Sequence, residues 1–191
     1  MSKQLLMVRT GAPPTLTIPE GFVLRWGEAG DELTWCRICM GMFGVQRVEQ
    51  QTWQEKMGDN PRVHLENVAF LLTTDGRPAG TATAKLDEDS GIGVLHMVAV
   101  REEFRGKGLS EPLCAAVVHR LHEQKRPLCK LTTDDFRIPA IKTYLKLGWL
   151  PVIEEPEQRA RWEKILYQLG KTHLPCLDEN FRPAAELRAE L

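Results

Sequence analysis

The 191-residue sequence lacks long apolar runs and a surplus of charge of either sign. No stretch approaches the roughly 18 to 20 apolar residues that a membrane-spanning helix requires. Lys and Arg number 25 and Asp and Glu number 26, so the net charge is −1. Proteins that bind nucleic acid usually carry a basic excess. We therefore expect a protein that binds neither a membrane nor nucleic acid.

The sequence also shows no signal peptide and no even set of cysteines. Its first residues contain only a short apolar patch, without the longer apolar segment of a secretory signal. Five cysteines are an odd number, which favours reduced thiols and a cytoplasmic location. Cys36 and Cys39 have the spacing of half a zinc site, but they lie on a predicted helix with no second pair nearby. We expect no bound metal.

The length predicts one domain with short extensions. Hydrophobic residues make up 42% of the chain and charged residues 27%, as in ordinary globular proteins. Prolines near the start indicate an N-terminal tail over residues 1–20. We expect the main domain over residues 21–153, followed by a C-terminal helix and tail, residues 154–191, packed on the same domain. That C-terminal helix is also compatible with a homodimer contact.

The hydrophobic periodicity predicts an α/β fold in which a three-stranded meander follows two early helices. An acidic turn at residues 87–91 joins the second and third strands of the meander. The central sheet is expected to be mixed and mostly antiparallel, with helices on its faces. The predicted helices are residues 31–43, 51–57, 109–124, 139–147 and 157–169. The predicted strands are residues 22–26, 68–73, 79–86, 94–100, 128–133 and 149–153.

A glycine-containing turn lies between the strand at Val94–Val100 and the following helix. It contains Arg105-Gly-Lys-Gly108, and the two glycines allow backbone N–H groups to approach a ligand closely. The start of the helix adds unpaired N–H donors and a partial positive charge. This arrangement favours a phosphate or pyrophosphate group.

Two common phosphate-binding motifs do not fit this turn. A P-loop places Ser or Thr directly after the Gly-Lys pair, whereas here Lys107 is followed by Gly108 and Leu109. A dinucleotide-binding turn needs a third glycine, whereas Leu109, Ser110 and Glu111 follow Gly108. A nucleotide-phosphate site of some other kind stays open as an alternative.

The stretch from Leu95 to Ser110 resembles the coenzyme A loop of the GNAT superfamily of N-acetyltransferases. That motif has Arg or Gln, two residues, Gly, one residue, and then Gly or Ala. Arg105, Gly108 and Ser110 occupy those places, and Ser110 is a small-residue departure from the motif.

A second stretch is similar to a later motif of the same superfamily, in which Ala is followed four residues on by Tyr and then by Gly and an aromatic residue. Ala140, Tyr144, Gly148 and Trp149 match it, while Arg137 stands where Asn is usual. The two motifs have the superfamily's order and spacing and together span roughly residues 20–153.

The resemblance implies acetyl-CoA as co-substrate and a primary amine of a small molecule or peptide as acceptor. It also implies a GNAT-type sheet, splayed at a parallel pair formed by the strands that begin at Val94 and Leu128. The pantetheine arm and the pyrophosphate would contact one strand and the glycine turn. The residues so implied are Val98, Ala99, Val100, Arg105, Gly106, Lys107, Gly108, Leu109 and Ser110.

The resemblance further implies direct attack of the amine on the thioester. Tyr144 matches the tyrosine that often protonates the departing thiolate, and the Val98 N–H is placed to bind the oxyanion. His96 is a candidate base, because serotonin-type arylalkylamine acetyltransferases have a histidine at the similar place. An imidazole with a pKa near ~6.5 suits proton relay at neutral pH.

Plainer interpretations stay open beside these. Tyr144 fits a core position on its helix, and His96 fits a half-buried strand. Phe43, Trp53 and Met57 are candidates for the acceptor pocket or for plain core, and His64 could approach the acceptor. The runner-up function is a non-catalytic acyl-CoA-binding or regulatory module on the same fold.

Overall fold

The computed structural model describes residues 3–87 and 90–189. They form two compact units, one of Ala12–Cys129 and one of Met1–Gly11 with Lys130–Leu191. The helices are α1 Glu32–Cys39, α2 Gln50–Trp53, α3 Ser110–Glu123, α4 Ile138–Lys146 and α5 Glu157–Gln168. The strands are β1 Leu5–Arg9, β2 Phe22–Trp26, β3 Val68–Thr73, β4 Pro78–Leu86, β5 Gly93–Val100, β6 Cys129–Thr133, β7 Leu150–Ile153, β8 His173–Asp178 and β9 Pro183–Arg188.

The unit Ala12–Cys129 contains the antiparallel strands β2, β3, β4 and β5 in that spatial order. Helix α3 packs on one face of these strands. A Cβ atom added at Gly80 would lie 2.8 Å from the Leu113 side chain, and one at Gly93 would lie 2.9 Å from Leu121. Glycine at these two places therefore lets α3 approach the sheet closely.

Helices α1 and α2 cover the opposite face of the same strands. Their apolar side chains form one buried cluster with residues of β3 and β5. Trp35 and Trp53 meet edge to face, with ring centroids 5.4 Å apart. A π-helical turn, Gln54–Gly58, follows α2 and adds the buried Met57. The cluster comprises Trp35, Cys36, Ile38, Cys39, Val45, Trp53, Met57, Val68, Phe70 and Ala99.

A partly buried ion pair fixes the start of α1 to strand β2. The guanidinium of Arg25 donates to Asp31 Oδ1 at 2.7 Å, and the backbone N–H of Glu28 donates to Asp31 Oδ2 at 2.9 Å. The hydrogen bond from Arg25 is the main cause that lowers the pKa of Asp31. Asp31 is the N-cap residue, but its carboxylate bonds these partners rather than capping the helix.

The second unit contains five strands in the order β6-β1-β7-β8-β9. Strand β1 pairs antiparallel with β7, β7 pairs parallel with β8, and β8 pairs antiparallel with β9. Helices α4 and α5 belong to this unit. Arg161 on α5 pairs with Asp135 and also donates to the Lys3 carbonyl at 2.8 Å. No helix within the described residues has the length and apolar character needed to cross a membrane.

The mixed α/β class is confirmed, with antiparallel strands, a parallel pair and flanking helices. The parallel pair described above is β7 with β8, and the expected splay between the Val94 and Leu128 strands stays a prediction. Strand β3 has the predicted bounds, and α3 begins one residue after its predicted start. Glu88 and Asp89 of the expected acidic turn lie outside the described residues. The domain limits at residues 21 and 153 also stay predictions.

Both terminal segments differ from the expected tails. Residues 5–9 form β1, whose Leu5 and Met7 are fully buried, and residues 171–189 contain the β8–β9 hairpin. Helix α1 ends at Cys39 rather than at Phe43, because Gly41 and Phe43 both have positive φ angles. A left-handed backbone conformation cannot continue a right-handed helix.

Strand β1 yields a stability prediction. Leu5→Ala should lower the free energy of unfolding by about 2–5 kcal/mol, because it leaves a cavity in a fully buried site. The matched control is Leu16→Ala, since Leu16 is 37% exposed, and we expect a change within about 0.5 kcal/mol. Urea titration followed by circular dichroism measures both values. Equal effects would show that residues 5–9 are a loosely attached tail.

Candidate active site

A β-bulge interrupts the ladder between β4 and β5. Thr81 pairs with Ala99, but Thr83 pairs with His96, so Ala82 faces two residues of β5, Met97 and Val98. Met97 has a φ angle of +47°, which is uncommon for a residue with a side chain. A bulge leaves one residue without a regular ladder partner and redirects the side chains beside it. Such backbone strain is concentrated at functional sites.

The bulge determines which face of the sheet His96 occupies. Thr81 and Thr83 alternate with Ala82 and therefore share a face, so their partners Ala99 and His96 share it as well. Ala99 belongs to the cluster formed with α1 and α2. His96 consequently lies on the face covered by these helices, opposite to the face that packs against α3.

The environment of His96 keeps its imidazole neutral. Burial, and after it the positive charge of Lys85, lowers its pKa to about 4. Lys85 lies two residues from Thr83 on the same face of β4. At pH 7 the ring is therefore an acceptor for a proton, but a weaker base than a free histidine.

The glycine turn after β5 has the geometry expected of an anion cradle. Gly106 and Gly108 have φ angles of +77° and +73°, and a Cβ atom at either would meet no atom within 4 Å. The turn leads into the fourteen-residue helix α3, whose N-cap residue, Leu109, has no side-chain acceptor for the first N–H groups. These donors and the helix dipole are directed at the same region.

Two cationic side chains accompany the turn. Arg105 Nε donates to the Val100 carbonyl at 3.4 Å, which holds its side chain beside the end of β5. Lys107 places its Nζ 5.7 Å from the ring centroid of Phe104, a buried residue of the short helical turn before the motif. The motif residues Arg105 to Ser110 thus combine backbone donors with positive charge in one unit with His96 and Val98–Val100.

Tyr144 lies in the other unit, on α4. It is 8% exposed, and its ring lies 6.4 Å from that of Trp149 at an angle of 62°. Gly148, with φ +82°, ends the helix, and the Trp149 N–H donates back to the Tyr144 carbonyl at 3.0 Å. This helix end fixes the backbone of Tyr144. Its catalytic role stays a prediction.

The two cysteines of helix α1 are buried in the cluster formed with β3 and β5. Cys36 and Cys39 are both buried on α1, and burial raises the pKa of each thiol. Within residues 3–87 and 90–189, no three His, Cys, Asp or Glu side chains are grouped so that they could hold a metal ion.

The candidate acceptor-lining residues have different surroundings. Trp53 and Met57 are buried members of the α1–α2 cluster, and Phe43 packs against it with a φ angle of +53°. His64 is exposed in the segment before β3. The cluster covers the face that carries His96, so a channel to His96 would pass beside these side chains.

Sequence reasoning missed Thr83 and the bulge at Met97. Thr83 is fully buried directly opposite His96, and its hydroxyl has no hydrogen-bond partner among the described residues. Thr81, on the same face, donates its hydroxyl to the Ala69 carbonyl at 2.9 Å. No residue type in this part of the sequence marks either feature, because neither position carries the glycine or asparagine that usually indicates an irregular backbone.

Comparisons with known proteins agree with this geometry. Residues 34–149 match the acetyltransferase (GNAT) family, which is more than half of the chain. The chain therefore belongs to the GNAT acetyltransferase family, as the two motifs predict.

Curated proteins that are similar to this chain are named mycothiol acetyltransferase. The chain is 29% identical over 140 residues to a mycothiol acetyltransferase from Thermomonospora curvata, a match that covers 71% of this chain and 46% of the relative. It is 28% identical over 147 residues to a mycothiol acetyltransferase from Nocardia farcinica, covering 72% and 48%. The chain thus spans about half the length of these relatives.

Solved structures share the fold. A GCN5-related N-acetyltransferase from Sphaerobacter thermophilus has a TM-score of 0.63 at 24% sequence identity, over 77% of this chain and 47% of that one. At this identity the likeness establishes the architecture alone.

The burial of His96 predicts a pH dependence of stability. Its folded pKa of about 4 lies below the ordinary 6.5, so acid protonates the unfolded chain first. Stability is then complete above pH 6.5 and declines as the pH falls toward 4. Between pH 7 and 4.5 this linkage amounts to about 2 kcal/mol, which His96→Gln should remove.

Urea unfolding at the two pH values measures this difference. His122→Gln is the matched control, because His122 is exposed near the end of α3. We expect it to keep the wild-type pH dependence. If His96→Gln also keeps it, His96 is not buried as a neutral group.

Proposed function

We propose that this chain is an acetyltransferase that moves an acetyl group from acetyl-CoA to a primary amine of a small molecule or peptide. One observation carries the proposal: a bulged strand is followed, after one short helical turn, by a glycine turn that opens helix α3. The bulge offers strand backbone groups to an extended ligand, and the turn offers donors to a pyrophosphate. Coenzyme A contains an extended pantetheine arm joined to a pyrophosphate, so it matches both features.

Coenzyme A would be held by Val98, Ala99 and Val100 along its pantetheine arm and by residues 105–110 at its pyrophosphate. Arg105 and Lys107 would offset the negative charge of the phosphates. Ser110 replaces the usual small apolar residue and adds a hydroxyl at the first residue of α3.

The reaction requires one bond to form and one to break. The amine nitrogen attacks the thioester carbonyl, the Val98 N–H binds the developing oxyanion, and the carbon–sulfur bond then breaks. Tyr144 gives its proton to the departing thiolate. The proton lost by the amine nitrogen passes to His96 or to a water beside it.

The low pKa of His96 limits the step of the reaction at which His96 can accept a proton. A protonated amine with a pKa near ~10.4 does not give its proton to an imidazole with a pKa of about 4. The nitrogen of the tetrahedral intermediate is far more acidic than a free ammonium group. His96 therefore acts after the attack, and the acceptor must arrive as the free amine.

The acceptor class rests on the family and on the relatives. Several relatives are named mycothiol acetyltransferase, which places mycothiol-related amines first among acceptors to test. This chain covers about half the length of each of these relatives, so we do not assign their acceptor to it. A primary amine is the chemistry common to the family and the proposed site.

The direct test is release of coenzyme A from acetyl-CoA when amines are added to the full chain. Tyr144→Phe should lower kcat by roughly 10–1000-fold, as expected for the loss of one acid–base group. The affinity for acetyl-CoA should stay nearly unchanged, because only the hydroxyl is removed.

Tyr167→Phe is a matched control, since the chain has two tyrosines and Tyr167 is 66% exposed on α5. It should retain the wild-type rate. A wild-type rate in Tyr144→Phe would remove Tyr144 from the mechanism. Acetyl-CoA binding without release of coenzyme A to any amine would favour the non-catalytic acyl-CoA-binding module.

A further inference from the structure

A cavity lies in the unit Ala12–Cys129, away from the glycine turn. It has a volume of about 270 Å³ and is formed by the segment before β3, the end of β4 and the end of α3. The glycine turn lies at the start of α3, so the fourteen residues of that helix separate the two places. At 1.5 Å per residue, the helix spans about 20 Å.

The wall of this cavity carries positive charge. Arg62 comes from the segment before β3, Lys85 from β4, and Arg126 from the residues after α3. Three cations from three separate segments therefore surround one small volume. His64, Asn67 and Gln124 complete the polar part of the wall, and none of the described residues that line it is acidic.

The geometry holds these groups in place. Arg62 Nη1 donates to the Asp87 carbonyl at 3.3 Å, while the Asp87 carboxylate accepts the Ser90 hydroxyl at 2.7 Å. Gln124 Nε2 donates to Asn67 Oδ1 at 3.0 Å, which links the end of α3 to the start of β3. The cavity is thus built by contacts between its walls rather than by one mobile loop.

Lys85 supplies an independent observation. It is half-buried, and none of the residues in 3–87 or 90–189 forms an ion pair with it. A cation withdrawn from water without a carboxylate partner is unfavourable unless a ligand supplies the negative charge. Lys85 also acts on His96 by its charge, so it connects this cavity with the proposed catalytic face.

We propose that the cavity lined by Arg62, Lys85 and Arg126 binds the phosphate group of a small phosphate monoester. A water molecule needs about 30 Å³, so the cavity has room for a phosphate and a few further atoms. The two arginines provide planar donors for phosphate oxygens, and Lys85 provides a point charge. Asn67 and Gln124 provide amide groups for a neighbouring hydroxyl.

The phosphate can belong to the acceptor amine or to a separate molecule. In the first case this inference rests on the proposed acetyl transfer and makes the acceptor a phosphorylated amine. In the second case the ligand acts through Lys85: its negative charge offsets the lysine and makes protonation of His96 easier.

Binding is tested first without any enzymatic reaction. Inorganic phosphate is titrated into the ¹⁵N-labelled full chain at constant ionic strength, and chemical shifts are followed by NMR. Saturable shifts are expected at Arg62, His64 and Lys85. The double variant Arg62→Gln, Arg126→Gln should weaken binding at least about tenfold, since it removes two charge-assisted contacts.

Arg47→Gln is the matched control, because Arg47 is 77% exposed and lies outside the cavity. It should leave the phosphate affinity unchanged. Shifts that do not saturate, or an equal loss in Arg47→Gln, would overturn the proposal and indicate general attraction to positive charge.

The source of the phosphate is tested by acetyl transfer to aminoalkyl phosphates of two to six carbons, each against its matching amino alcohol. If the acceptor is phosphorylated, the aminoalkyl phosphate of one chain length should have a higher kcat/KM than its amino alcohol. The double variant should lose that difference. A separate ligand predicts equal kcat/KM for each pair and a rate that changes on adding inorganic phosphate. Phosphate binding without any acetyl transfer would support the phosphate site in the cavity and refute the proposed reaction.

Discussion

One extra residue in strand β5 governs the arrangement of the candidate site. Without it, His96 and Ala99 would lie on opposite faces of the sheet, since side chains alternate along a regular strand. The bulge at Met97 and Val98 places both on the face covered by α1 and α2. It also interrupts the ladder where an extended ligand could bond to the backbone. The strain at Met97 is tolerated because β4 and the helices on both faces hold the strand.

The two faces of strand β5 carry different groups of the candidate site. On one face, Gly80 and Gly93 let α3 pack closely, which places the start of α3 and the glycine turn at the end of β5. On the other face, His96 lies opposite Thr83 and near Lys85, in surroundings that keep the imidazole neutral. In the proposed function, phosphate recognition and proton transfer are therefore separated by the thickness of strand β5. Lys85 lies on this second face and also lines the basic cavity.

The parts of the fold that depend on local pattern could be predicted from the sequence. Strand β3, the meander and helix α3 follow from periodicity, and Gly106 and Gly108 mark their turn because they adopt positive φ angles. Strand β1 could not be predicted, since Met7 pairs with Pro151 far along the chain. The bulge is equally hidden, because Met97 has no residue type that announces its conformation. The effect of Lys85 on His96 arises only from the register of β4 against β5.

The central claim is that β5 and the glycine turn hold acetyl-CoA, and thermal melting tests it most directly. Acetyl-CoA at 100 times its Kd should stabilise the chain by about 2.7 kcal/mol, a rise in Tm of roughly 5–10 °C, and ATP should not. Gly108→Ala should lose most of the rise, whereas Gly170→Ala, at a φ of +63° after α5 in the other unit, should keep it. No rise with millimolar acetyl-CoA, or an equal rise with ATP, would contradict the account.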